Sequence, residues 1–526
     1  MGRAQRRLAN VGTGGQPCPM NPLSRRKALR GLALLAPAGW AAGCAVPHVL
    51  RRRPESEVVR RENERPGTRD WMLERTLVDK ETGWRSAAIE GYGSRTRVFA
   101  GETIDLHVST DPAEAFDVEF FRMGFYGGLG GRRVGGIAGL KGEARPLPPV
   151  GDRRLRDCAW PVTARWQVPS DAPSGVYLGR MRTRRSGLES YVVFVVRDRR
   201  RAGLMFQCSD NTWQAYNRWP DHFALYDNGV ERWWWGGGVR VSFNRPYARY
   251  CQIFDQPLSQ GSGEFLLWEF PVAYWLEKEG YDVTYVSNHD THADPRGLLR
   301  TRCLLSVGHD EYWTREMFGN VHAAVGRGLS VAFLSGNAVC GRIEHAPGKD
   351  GERSFERVGV FGPPGGTREF VAMKSLRHER PYANELVGAH STGPVTGGAD
   401  WTCRRPGHWL FEGTGMKEGD SIPGIVGWEW HGDPAPIPGL EVVASGPTQD
   451  APGKPNGGEY TATVYPGPMG NVVFNASTIW WGDGLSEPPG YMRPRVYTAP
   501  MGPDLRVQQI TRNLLRRVSA RHPSGG

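Results

Sequence analysis

At 526 residues the chain is too long for one ordinary core, so two or three folded units are expected, and 23% charged residues with 70 glycines and 40 prolines describe a globular, loop-rich protein. The net charge of +11 suggests a nucleic-acid partner, but residues 1–44 hold seven Lys/Arg and no acid, leaving 59 basic against 55 acidic residues beyond. With no basic stripe carrying interleaved aromatics in that remainder, nucleic acid is excluded as the expected partner.

The start of the chain accounts for the charge. Ser24-Arg25-Arg26-Lys27-Ala28-Leu29 precedes an apolar stretch from Gly31 to Ala42, and Ala41-Ala42-Gly43-Cys44 follows. A basic region, a short apolar segment and small residues before a processing site describe an export signal over 1–44, too short to span a membrane. The paired arginines point to twin-arginine export of a folded protein. The residues before Cys44 look like a lipobox with Ala41 in place of its usual leucine, so a lipid anchor at Cys44 is one outcome. The expected location is outside the cytoplasm, periplasmic or membrane-anchored. Residues 45–83, charged and poor in large aliphatics, read as a linker.

Residues 84–198 read as all-β. Thr103–Val108 and Phe116–Phe120 alternate, and Gly175–Met181 and Tyr191–Val196 follow turn-rich connections. Short strands between turns predict a β-sandwich of roughly a hundred residues. The glycine-rich run Gly124–Gly131 opens no apolar-periodic helix, so it reads as a flexible loop rather than a nucleotide site. After Arg197-Asp198-Arg199-Arg200-Arg201 the pattern changes to strand–helix–strand over 199–526. Leu204–Cys208, Asp282–Val286, Arg302–Val307 and Ser330–Leu334 are expected strands. Phe265–Glu279 is an expected helix, and Thr314 is placed to cap another that Gly326 and Gly328 end. Such alternation predicts a parallel sheet covered by helices. Cys340 to about Pro423 is expected to be a long surface excursion. Strands return at 424–428, 440–444 and 471–474, and a helix over 504–520 closes the chain. The six cysteines beyond Cys44 show no framework spacing and no C-x-x-C, which argues against a thiolate zinc site.

In an open α/β sheet, chemistry collects outside the carboxyl ends of the strands. Those ends carry Ser209-Asp210-Asn211, His309-Asp310-Glu311, Gly336-Asn337 and Ala476-Ser477-Thr478. No G-x-S-x-G or H-E-x-x-H occurs, and Cys340 comes too late after its strand for a cysteine amidotransferase. A carboxylate with a histidine nearby and donors from other loops is left, a set suited to a hard metal. Each group also has a plain structural use. Tyrosines 216 and 247 could be core aromatics, Glu311 could cap the next helix, and His309 and Asn337 could be turn residues. Glu429 could be an exposed strand residue.

Gly308-His309-Asp310-Glu311-Tyr312-Trp313 with Ser335-Gly336-Asn337 resembles the large (beta) subunit of N,N-dimethylformamidase and its relatives. Asn211–Asn217, Val241–Tyr247, Phe474-Asn475-Ala476 and Arg122–Gly127 share the likeness, which spans most of 85–520. The fold class expected is α/β plus β: an N-terminal immunoglobulin-like sandwich, then a Rossmann-like, amidotransferase-like parallel layer with long loop insertions. The resemblance implies a mononuclear Fe(III) held by two tyrosines and a glutamate, which match Tyr216, Tyr247 (with Tyr250 close by) and Glu311. It further implies His309, Asn337 and Glu429 as the other active-site groups. The implied protein is an exported, iron-dependent hydrolase of C–N bonds in a small amide. No small partner subunit is supplied by this chain, and assembly as a homo-oligomer stays open. The alternative is a non-catalytic carbohydrate or cell-wall binding protein, gripping its polymer with Trp233-Trp234-Trp235 and Trp480-Trp481.

Overall fold

The computed structural model describes residues 57–78, 83–249, 259–348, 351–451, 454–493 and 501–519. The export segment, Tyr250 and Cys251 lie outside the described residues. Strands β1 (Glu90–Gly93), β3 (Thr103–Ser109) and β6 (Ala164–Gln167) form one antiparallel sheet. A second sheet runs in the order β2 (Arg97–Phe99), β8 (Glu189–Arg197), β7 (Gly175–Thr183), β4 (Phe116–Met123), β5 (Gly131–Leu140). Alternation along β3 sends Ile104, Leu106 and Val108 into a core shared with Val118, Phe120, Trp166 and Phe194. Strands β7 and β8 alternate less, because both faces of their sheet are covered. Their other face, with Val176, Leu178, Val193 and Val195, joins a second core with Leu204, Phe206, Phe270, Trp275 and Tyr285.

The segment expected as a linker does more than connect. Helix α1 (Glu57–Asn63) precedes Trp71, which is fully buried, edge-on to Phe270 and donates its Nε1 hydrogen to Leu129 O at 3.0 Å. Asn63 Oδ1 accepts from the backbone N–H groups of Phe125 and Tyr126, both at 2.9 Å, so the glycine-rich loop is pinned rather than loose.

The central sheet has seven strands. They run β11 (Val283–Ser287), β9 (Leu204–Cys208), β12 (Cys303–Gly308), β14 (Ser330–Ser335), β22 (Val472–Asn475), β21 (Lys454–Pro466), β20 (Glu441–Ala451). The first five are mutually parallel, and β21 and β20 add as an antiparallel hairpin at one edge. Helix α2 (Asp210–Tyr216) follows β9. A π-helical turn (Phe265–Glu269) leads into α3 (Phe270–Lys278), which Pro271 opens where no N–H is needed. Helix α4 (Asn288–Ala293) follows β11. Helix α5 (Arg315–Val325) is capped by Thr314, whose hydroxyl accepts from Met317 N at 3.1 Å as the sequence indicated.

The excursion expected from Cys340 to Pro423 carries several strands. β15 (Gly341–Gly348) and β16 (Gly351–Val360) pair antiparallel and join β10 (Arg240–Ser242), β13 (Tyr312–Trp313) and the short β17 (Arg377–His378). β18 (Ala389–Thr402) pairs with β19 (Ser421–Pro434) through four register shifts. Those bulges break the two-residue alternation by which strands are recognised. Cys158, Cys208, Cys303 and Cys403 are buried thiols. No helix among the described residues is long and apolar enough to cross a membrane.

Candidate metal centre

The site is built where β12 ends. Gly308 turns the chain with φ +64°, and a Cβ there would lie 2.5 Å from Trp268 Cβ, so only glycine allows this approach. The turn is locked by backbone bonds from Val339 N to Asp310 O and from Gly341 N to Glu311 O, both 3.1 Å. Asp310 points away from its neighbours and anchors the turn. It accepts from Gln207 Nε2 (2.6 Å), Ser306 Oγ (2.8 Å) and Asn288 Nδ2 (3.1 Å).

His309 and Glu311 project together, and neither side chain is exposed. Tyr216, at the end of α2, donates its hydroxyl to Glu311 Oε2 at 2.5 Å. His309 Nε2 lies 3.2 Å from the same oxygen and 2.9 Å from Glu429 Oε2, supplied by β19. On the other side of the ring, His309 Nδ1 lies 3.2 Å from Glu264 Oε2. Asn337, after β14, is fully buried at φ +52°, a conformation asparagine tolerates, and its side chain hydrogen-bonds Glu429. Gly336 brings the two elements together: a Cβ there would fall 2.0 Å from Glu429 O.

Of the six residues named from the sequence, five thus meet in one place: Tyr216, His309, Glu311, Asn337 and Glu429. Glu429 is 3% exposed rather than a solvated strand residue, and Thr314, not Glu311, caps α5. Tyr247 is half-buried with its ring edge-on to Trp213, 6.4 Å between centroids. The second phenol touching Glu311 is Tyr226, 3.1 Å from Oε1 and 2.7 Å from the Tyr216 hydroxyl. Tyr226 also meets Tyr312 OH at 2.6 Å, and Arg357 Nη1 donates to Tyr312 at 3.0 Å. Neither Tyr226 nor Glu264 stood out in the sequence. The one signal was the Trp233-Trp234-Trp235 run, whose first and third rings pack edge-on against Tyr226. Trp480 and Trp481 are completely buried, so they offer no face to a polymer, whereas Trp233 is 45% exposed.

Burial and the neighbouring Glu311 push the Tyr216 hydroxyl far above its usual range. Burial likewise raises Glu264 and Glu429 against the pull of His309. Burial alone would lower His309, but the carboxylates of Glu429 and Glu264 outweigh it and hold it well up. A fully buried set of three carboxyls and two phenols around one imidazole is costly without added positive charge. The oxygen-rich donor set therefore fits a hard cation.

This is a buried candidate metal centre at the carboxyl rim of a parallel sheet: His309, Glu311 and Glu429 present ligand atoms within 4.8 Å of one another and could hold an ion. Residues 117–493, well over half of the chain, match the family described as N,N-dimethylformamidase beta subunit-like, C-terminal. The chain belongs to that family. No curated protein matches the sequence.

Proposed function

We propose that the protein is an exported, iron-dependent hydrolase of C–N bonds in small linear amides. Family membership and the mixed α/β-plus-β architecture support the hydrolase reading. On this reading residues 84–198 are an immunoglobulin-like sandwich and 199–526 a Rossmann-like catalytic domain. The observation that carries the proposal is the single buried cluster in which the Tyr216 hydroxyl and His309 Nε2 both reach Glu311 Oε2, at 2.5 and 3.2 Å.

The ligands to a mononuclear Fe(III) would be Glu311, Tyr216 and a second phenol. Tyr226 takes that place by its contact with Glu311, and Tyr247 takes it by family resemblance. When bound, such an ion supplies Lewis acidity to an amide carbonyl and lowers the pKa of a coordinated water. The protein groups then divide the work. Glu264 fixes the His309 ring through Nδ1, so that Nε2 is aimed at the reacting water and at Glu429. Glu429, beside Nε2, carries a proton to the departing amine. Asn337 donates its amide N–H to the oxygen that gains charge. The export signal over 1–44, attachment through Cys44 and self-association belong to the same proposal, with a small amide as the partner and no nucleic acid.

The test is metal content and visible absorption of the purified full chain, together with amine release from N,N-dimethylformamide. Iron near one equivalent and a tyrosinate-to-iron charge-transfer band are expected. Glu311→Gln and Tyr216→Phe should each lose both. Tyr226→Phe against Tyr247→Phe decides the second phenol by which variant bleaches the band. A colourless, iron-free protein, or full iron retention in both Glu311→Gln and Tyr216→Phe, overturns the reading.

A further inference from the structure

A cleft of about 380 Å³ opens between strands β2 and β8 on one side and β9, β11, α4 and the turn Gly297–Arg300 on the other. None of its lining residues belongs to the cluster around Glu311. Its floor is apolar, made by Met205, Val286 and Leu298, all buried. Its rim is basic, with Arg199, Arg296 and Arg300.

Of the three acids that line the cleft, Asp198 and Asp290 are already committed to arginines. Asp198 accepts from Arg200 Nε (2.9 Å) and Thr284 Oγ1 (2.8 Å). Asp290 is held by Arg97 at 2.9 Å and by Arg197, and it also caps α4 through Ser287 N at 3.1 Å. Asp294 accepts from Gly297 N at 2.9 Å. Among the described residues no carboxylate pairs with Arg199, Arg296 or Arg300. Arg199 Cζ sits over the Phe99 ring, 4.4 Å from its centroid. Arg300 places Nε out of contact with water and without a hydrogen-bond acceptor. A contact between a guanidinium and an incoming oxyanion is charge-assisted and roughly twice as strong as a neutral hydrogen bond. Three guanidiniums set against the one carboxylate of Asp294, over an apolar floor, select for charge and for an apolar body at once.

We propose that this cleft binds a small amphipathic anion: a carboxylate or phosphate head on the arginines, with a short hydrocarbon body over Met205, Val286 and Leu298. The site is separate from the proposed metal centre and does not depend on amide hydrolysis.

Calorimetric titration of the full chain at fixed ionic strength tests it, with hexanoate, hexyl phosphate, inorganic phosphate and hexan-1-ol as probes. At least one of the two hexyl anions should bind with one equivalent and more tightly than hexan-1-ol or inorganic phosphate. The tighter of the two assigns the head group as carboxylate or phosphate. Arg300→Gln should weaken that probe by about ten-fold or more, the loss of a charge-assisted contact. The exposed Arg199→Gln, which keeps the assay decisive if Arg300→Gln does not fold, should weaken it several-fold. Glu311→Gln should leave it unchanged, which separates the cleft from the metal centre. No heat with either hexyl anion, equal affinity for hexan-1-ol or inorganic phosphate, or unchanged binding in the arginine variants overturns the proposal.

Discussion

Glu277 offers a direct test of how the β-layers at 90–197 are held to the central sheet. Its carboxylate lies in α3 with no exposure and receives Arg122 from β4 in a two-point grip, Nη2 to Oε1 at 2.7 Å and Nη1 to Oε2 at 3.0 Å. Asn63 Nδ2 (2.8 Å) and Tyr285 OH (3.0 Å) complete its coordination. Burial by itself would depress Arg122, but the facing carboxylate outweighs it and keeps the guanidinium charged. Glu277→Gln preserves shape but leaves that charge buried opposite a neutral amide, for which a loss of about 3–5 kcal/mol is expected. Replacing both partners, as Arg122→Met with Glu277→Met, removes the stranded charge and should return to within about 2 kcal/mol of the parent. Equilibrium urea unfolding followed by tryptophan fluorescence, arranged as a double-mutant cycle, measures the coupling. A Glu277→Gln variant within about 1 kcal/mol of the parent would show that water or rearrangement screens the pair and would refute the argument.

Two further outcomes follow from burial and close contact. Burial, with His289 and His292 adjacent, pushes His345 from its usual 6.5 down to about 2, and its ring stacks on His289 at 4.5 Å. The unfolded imidazole therefore takes its proton first: the stabilising contribution is intact above about 6.5 and fades as pH falls toward 2, by up to about 1.4 kcal/mol per pH unit. His345→Gln should flatten the decline of the urea midpoint between pH 6.5 and 4, and parallel profiles would count against it. Gly336→Ala should cost about 1–3 kcal/mol in urea unfolding, because the added methyl meets Glu429 O and Ile479 N at 2.0 and 2.8 Å and must push β19 off the end of β14. An unshifted midpoint would mean that the two elements separate freely.

Much of the centre was legible because its residues follow strands. His309, Glu311 and Asn337 come directly after apolar runs, and a parallel sheet brings such turns together whatever loops intervene. Thr314 announced its helix by residue type alone. Tyr226 did not show, because it lies in a connection of no regular pattern and meets Glu311 across 85 positions of sequence. Glu264 precedes an apolar helix as an ordinary acid would, and only the folded chain sets it against His309. The strands between 341 and 402 were hidden for another reason. β16 pairs with β10 more than a hundred residues earlier, and bulges in β15 and β18 shift the inward face part-way along.

In the sequence, the charged run from Arg197 to Arg201 marks the point where the all-β pattern gives way to strand–helix–strand. In the folded protein it is a rivet. Arg197 reaches across to Asp290, and Arg200 ties Asp198 to Asp282 and to the carbonyl of Val283. A fragment beginning at 199 would bare the apolar outer face of β11 and β9 and strand Glu277, so truncation there should yield aggregates rather than a working half. The strands ahead of the run serve as a wall of the sheet behind it.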